Sequence, residues 1–264
     1  MTRAPRRLSR FRAGLARGAW LVSGLWWAGA AATQEADVVP ACIAEITGAA
    51  YAAPTDRYPH AVLGDDLEWG ALRVSYASSH ACRSGGGSIR LRLPEALVFE
   101  DVAPRVIDLD GQGLAEILVV ESHRDKGARL AVWGLREAQF RRIAATPFIG
   151  TRFRWLAPLG AADLDGDGAM ELAYVDRPHL ARVLRIWRFD AMADRLEEVG
   201  ALPGLTNHRI GERDIAGGIR NCGAGPEMIL ADAQWREVRA VRFDGQAFAQ
   251  RVLGPGQLCR CPGL

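Results

Sequence analysis

Beyond the first thirty or so residues, the apolar positions come in short runs broken by Gly, Pro, Asn and Asp. The stretch APLGAADLDGDGAMELAYVDRPHLARVLRIWRFDAMADRLEEVG, from Ala157, is the clearest case. It predicts strands near 157–163, 170–175, 182–189 and 195–200, separated by an aspartate loop, a DRPH turn and an FDAMAD turn. Turns of that composition join antiparallel strands. No long segment in this region keeps a helical period, so the class expected is all-β.

The pattern repeats. APRVIDLDGQGLAEILVVES, from Ala103, aligns with the stretch from Ala157, and downstream strands place Trp133 and Trp187 at 25 and 24 residues from Asp108 and Asp163. Weaker copies are VLGDDLEWGALRVSY before these two and RDIAGGIRNCGAGPEMILADA after them. With Asp65, Asp108, Asp163 and Asp214 as markers the spacings are 43, 55 and 51 residues, the range of a propeller or similar array. The expectation is a small β-propeller-like array of about four four-stranded units, approximately 57–96, 97–150, 151–205 and 206–253. An open β array is the variant reading; a two-sheet sandwich would leave the repeat unexplained. Residues 33–56, rich in Ala, Pro and Thr, are expected to be a linker with at most one short element, and 254–264 a cysteine-containing tail.

Chemistry concentrates in the central loop. Asp163, Asp165 and Asp167 alternate, Gly166 and Gly168 allow a tight turn, and Glu171 follows. Carboxylates so crowded repel unless a cation lies among them, and an all-oxygen set suits calcium. An EF-hand would put its bidentate glutamate at the twelfth position, which is Tyr174, and would need flanking helices. Instead GAADLDGDGAMELAYV, with short apolar flanks, resembles the calcium-loop repeat of FG-GAP and VCBS-type proteins. That resemblance implies β-propeller blades, with the loop joining the first two strands of a blade, and calcium held by Asp163, Asp165, Asp167 and Glu171. The second loop offers Asp108, Asp110, Gln112 and Glu116. Gln112 removes a charge, so this loop reads either as a weaker calcium site or as a plain turn. The first unit lacks the loop glycines, and the fourth holds Arg220, Cys222 and Ala224 at the aligned positions.

Residues 1–32 carry six arginines and no acid, then an apolar run ending in small residues. This is the order of a cleaved secretory signal, and the run is shorter than the roughly 20 residues a membrane span needs. Without it, 33 less 6 leaves 27 basic residues against 31 acidic, a net charge near −4. That removes the electrostatic case for nucleic-acid binding. Export also favours disulfides among Cys42, Cys82, Cys222, Cys259 and Cys261. Proximity to the ends of the folded body suggests Cys42 with Cys82 and Cys222 with a tail cysteine, one thiol being left over. A zinc half-site at Cys259 and Cys261 lacks further ligands nearby.

No GxSxG or HExxH occurs. His60, His179 and His208, with Arg152, Arg154 and Arg209, lie in connecting segments. They read either as a face for an anionic ligand or as groups that satisfy loop carbonyls. Trp133 and Trp187 read as packing between blades rather than as a sugar-stacking surface. The expectation is an exported, calcium-stabilised binding or scaffold module for a protein or glycan partner, with no membrane span in the mature chain. The alternative is a hydrolase of an anionic or carbohydrate substrate at the histidine face.

Overall fold

The computed structural model describes residues 43–79 and 85–254. All regular structure among them is β: seventeen strands, paired antiparallel, in sheets of eight, four and five strands. The first sheet holds β1 (Ile43–Thr55), β2 (Glu68–Ser78), β3 (Gly87–Arg92), β4 (Leu97–Phe99), β5 (Arg105–Ile107), β6 (Glu116–His123), β7 (Gly127–Arg136) and β8 (Gln139–Ala145). The second is the meander β9 (Leu156–Ala162), β10 (Glu171–Asp176), β11 (Val183–Asp190) and β12 (Arg195–Pro203). The third has β13 (Leu205–Thr206), β14 (Gly218–Asn221), β15 (Pro226–Asp232), β16 (Val238–Phe243) and β17 (Phe248–Leu253).

Each strand expected between residues 157 and 200 is present, the first three shifted by one residue and the fourth running three residues further, to Pro203. Three stretches share one plan, built around β6, β10 and β15. Each of these strands pairs on one side with a lead-in strand and on the other with a long outgoing hairpin. In the second and fourth stretches the lead-in is split: β4 and β5 pair opposite ends of β6, and β13 and β14 pair opposite ends of β15. The single strand β9 spans both positions, with a bulge opposite Ala173 and Tyr174. The first stretch is joined to the second by one pair, Trp69 with Phe99, which merges them into the eight-stranded sheet.

One difference from the sequence reading lies at the start. The stretch 33–56, expected as a linker with at most one short element, contains the thirteen-residue β1, paired along β2 from Ile43 to Thr55. Two register shifts, at 43/45 and 46/48, break its alternation of apolar and polar positions. A bulge moves every later side chain to the other face, so no sustained period survives in the sequence. The expected signal segment 1–32 lies outside the described residues, as do Cys42, Cys82, Cys259 and Cys261.

The cores follow from the two-residue period of strands. On β6, Ile117 and Val119 join a cluster with Leu72, Leu91 and Phe99, whereas Leu118 and Val120 join one with Leu172, Tyr174 and Trp187. On β10, Ala173 and Val175 face the opposite way, towards Met228, Leu230 and Phe243. Successive sheets therefore stack through both faces of their central strands, which explains why these strands read as unbroken apolar runs. Trp133 and Trp187 are buried in these layers, as packing requires.

The loop between β1 and β2 also reaches the connection before β14. Gly211 N donates to Val62 O at 3.0 Å, and Gly64, at φ +90°, has the Gly211 carbonyl 2.6 Å from where a Cβ would stand. Only glycine suits that approach.

Candidate functional site

The central strand of each unit carries a buried acid at its start. Glu116, Glu171 and Glu68 open β6, β10 and β2, and Glu227 is the second residue of β15; all four are almost wholly shielded from water. The preceding hairpin loops differ, and they decide what each carboxylate meets.

In the loop from 163 to 170, oxygens of Asp163, Asp165 and Glu171 lie within 4.8 Å of one another. The backbone is wound around them. Gly166 N and Gly168 N donate to the two oxygens of Asp163 at 2.7 and 3.1 Å, and Leu164 N donates to Glu171 Oε2 at 2.8 Å. Gly166 and Gly168 have φ of +82° and +92°, the left-handed turns that the sequence reserves for glycine. Arg188, paired with Glu171 across β10 and β11, donates through Nε to Glu171 Oε1 at 2.7 Å and through Nη2 to Asp165. Burial pushes the Glu171 carboxyl upward, opposed first by this arginine. Asp167 stands outside the trio, accepting from Ala169 N at 2.8 Å and lying 3.1 Å from Arg188.

The loop from 108 to 115 repeats this arrangement. Asp108, Asp110 and Glu116 converge within the same 4.8 Å; Gly113 N donates to Asp108 Oδ2 at 2.9 Å and Leu109 N to Glu116 Oε2 at 3.0 Å. Arg136 bridges Asp110 and Glu116, each at 3.3 Å, and Asp194 at 3.1 Å. Gln112 is exposed and contributes its backbone N–H to Asp110. Asp108 Oδ1 is enclosed without a hydrogen-bond partner. An orphaned carboxylate oxygen beside two more carboxylates is the donor set of a hard cation, so the residues of this loop fit calcium, as does the all-oxygen trio at Asp163.

These observations single out the stretch that holds both acidic loops. Residues 108–174 match the FG-GAP-like repeat family. The FG-GAP-like match opens on Asp108 and closes on Tyr174 in β10, so it takes in both acidic loops and the sheet elements between them. A search of curated proteins finds no match to the chain.

The fourth hairpin carries no such loop. Glu227 is met by Arg220 at 2.7 Å, Arg251 at 2.9 Å and Arg242 at 3.8 Å, and the first two hold its carboxyl below the usual range against the cost of burial. The sequence reading passed over Glu227. The signal was available: EILVV, ELAYV and EMILA each set a glutamate before an apolar strand.

The histidines gather at the other end of the central strands. His179, in the β10–β11 turn, lies with Nε2 2.9 Å from His208 Nδ1, and His208 Nε2 lies 2.8 Å from the Glu212 carbonyl. His60 Nδ1 is 2.5 Å from Glu100 Oε1, and Ser122 Oγ donates to the other Glu100 oxygen. Trp155 Nε1 donates to the Glu100 carbonyl at 2.8 Å. Burial first, then His208 and His60, pushes the His179 imidazole down to about 4, and burial also lowers His208. A cavity of about 310 Å³ is lined by His60, His179, Arg154 and Trp155 among others.

Arg152 lies over the Phe153 ring at 4.5 Å. Arg209 covers Trp235 at 3.9 Å and belongs to a different recess. Glu100 and Ser122 carry no sequence motif and were missed. The Ser122 hydroxyl is directed to the Glu100 carboxylate and not to an imidazole.

Proposed function

We propose that the chain is an exported, calcium-stabilised binding or scaffold module whose four units are arranged as propeller blades, with calcium at the Asp163 loop and more weakly at the Asp108 loop. The observation that carries this reading is the pair of matching carboxylate trios at hairpin tips one repeat apart, one of them with an orphaned oxygen. Asp163, Asp165 and Glu171 would hold one ion; Asp108, Asp110 and Glu116 would hold the other. Calcium bound there supplies positive charge that draws together carboxylates the fold would otherwise strain to confine, so binding free energy becomes folding stability. The connection of the first unit to the fourth through Val62 and Gly211 supports a ring of blades. The face carrying His60, His179 and Arg154 would hold the partner.

Isothermal titration of the full chain with calcium tests the reading. Two sites are expected, the stronger abolished by Asp163→Asn and the weaker by Asp108→Asn, with dissociation constants of about 0.1 to 1 mM for such extracellular modules. Absence of any saturable heat, with the protein folded, rejects it.

A further inference from the structure

We propose that the cavity bounded by His60, Arg154, Trp155 and His179 binds a small organic monocarboxylate with a flat apolar body. This rests on the reading of the chain as a binding module and names the ligand class of its histidine face.

Three features define the class. The first is charge. Of the two arginines lining the cavity, Arg177 is taken by Asp176, at 2.7 and 3.0 Å. Arg154 is half-buried and makes no side-chain hydrogen bond or ion pair among the described residues. A partly shielded arginine without an acid is a ready receptor for a carboxylate, which it can grip with two parallel N–H donors.

The second feature is the shape of the walls. His60 stacks on Phe153 with rings 17° from parallel at 4.9 Å, and His179 lies 12° from parallel to Trp155 at 6.4 Å. All four residues line the cavity and give it flat aromatic walls. Leu180 and Ile210 also line it and are 60% and 72% exposed, apolar surface that a ligand body would cover.

The third feature is what the cavity refuses. His60 Nδ1 is committed to the buried Glu100, so Nε2 is the ring's remaining hydrogen-bonding atom. His179 is neutral at pH 7, tied to His208. With Arg177 already neutralised by Asp176 and Arg154 the one uncompensated cation among the lining residues, a dianion such as phosphate brings one negative charge more than the cavity can match. A single carboxylate does not. The volume, about 310 Å³, is at the lower end for ligand pockets and accommodates a molecule of benzoate size.

The test uses benzoate as probe, with benzamide as its uncharged counterpart and inorganic phosphate as the charge without the body. Each is titrated into calcium-saturated full-length protein and followed by calorimetry. Saturable benzoate binding is expected, with benzamide and phosphate at least tenfold weaker. Arg154→Gln should weaken benzoate tenfold and leave the melting temperature unchanged, because Arg154 makes no internal pair. Leu180→Ser, at an exposed position, should weaken benzoate severalfold while sparing the fold. No saturable benzoate binding by folded protein overturns the proposal. So does equal binding of benzamide or phosphate, or an Arg154→Gln variant that binds as well as the parent. A calcium-dependent melting shift measured on the same samples separates the two readings: if it persists while benzoate fails, the ligand class alone is wrong.

Discussion

Glu171 and Glu227 stand at the start of equivalent strands, are both buried, and are neutralised in opposite ways. At Glu171 the hairpin loop brings two more carboxylates within 4.8 Å, and the one nearby arginine, Arg188, is shared among Asp165, Asp167 and Glu171. At Glu227 the loop is short and without acids, and three arginines approach a single carboxylate. The contrast teaches that the repeat conserves within itself a buried negative charge at the head of the central strand. What varies between its copies is the source of positive charge. Where arginines suffice, the hairpin is complete in itself; where acids outnumber them, it has room for a divalent ion.

The strongest way to break the comparison is to remove the self-sufficient version. Glu227→Ala removes the buried acid that Arg220, Arg251 and Arg242 share, and should cost about 3 kcal/mol regardless of calcium, read by chemical denaturation. A calcium-dependent loss at this position would contradict the division between the two hairpins. Next, Arg188→Gln withdraws the internal cation from the Asp163 loop. It should destabilise the calcium-free protein by about 1–2 kcal/mol and enlarge the stabilisation by calcium, since the ion no longer competes with a guanidinium. An unchanged calcium response would show that arginine and ion do not share the same charge.

A smaller effect comes from the opposite end of the sheets. Folding pushes the His179 imidazole from its ordinary value near 6.5 down to about 4, so the unfolded chain takes up the proton first. Stability is therefore complete above pH 6.5 and falls as the pH drops from 6.5 towards 4. With solvent screening of this partly exposed ring, the loss should be about 1–2 kcal/mol, and His179→Phe should flatten the profile. An equally steep profile in that variant would assign the dependence to other groups.

The sequence carried the strand pattern and both acidic loops, because hairpins of the 108–174 region are local and their glycines and aspartates are adjacent. It carried β1 poorly, since two bulges reset its period, and it carried the merged first sheet not at all, since a single cross-strand pair, Trp69 with Phe99, makes that junction. Asp167, Arg152 and Arg209 are equivalent to their neighbours by spacing; in the structure Asp167 lies outside the trio, Arg152 stands over Phe153 and Arg209 over Trp235. The Glu100 contacts with His60 and Ser122 join residues 40 and 22 positions apart, and no local pattern encodes them.

On the proposed reading, the Asp163 and Asp108 loops take a cation from outside while the Glu227 hairpin does not. Thermal melting of the full chain in excess chelator, then with calcium restored to about 100 times its dissociation constant, tests this directly. The account predicts a reversible rise equivalent to about 2.7 kcal/mol for a single filled site, absent in the double variant Asp163→Asn, Asp108→Asn. Superimposable melting curves with and without calcium would contradict it.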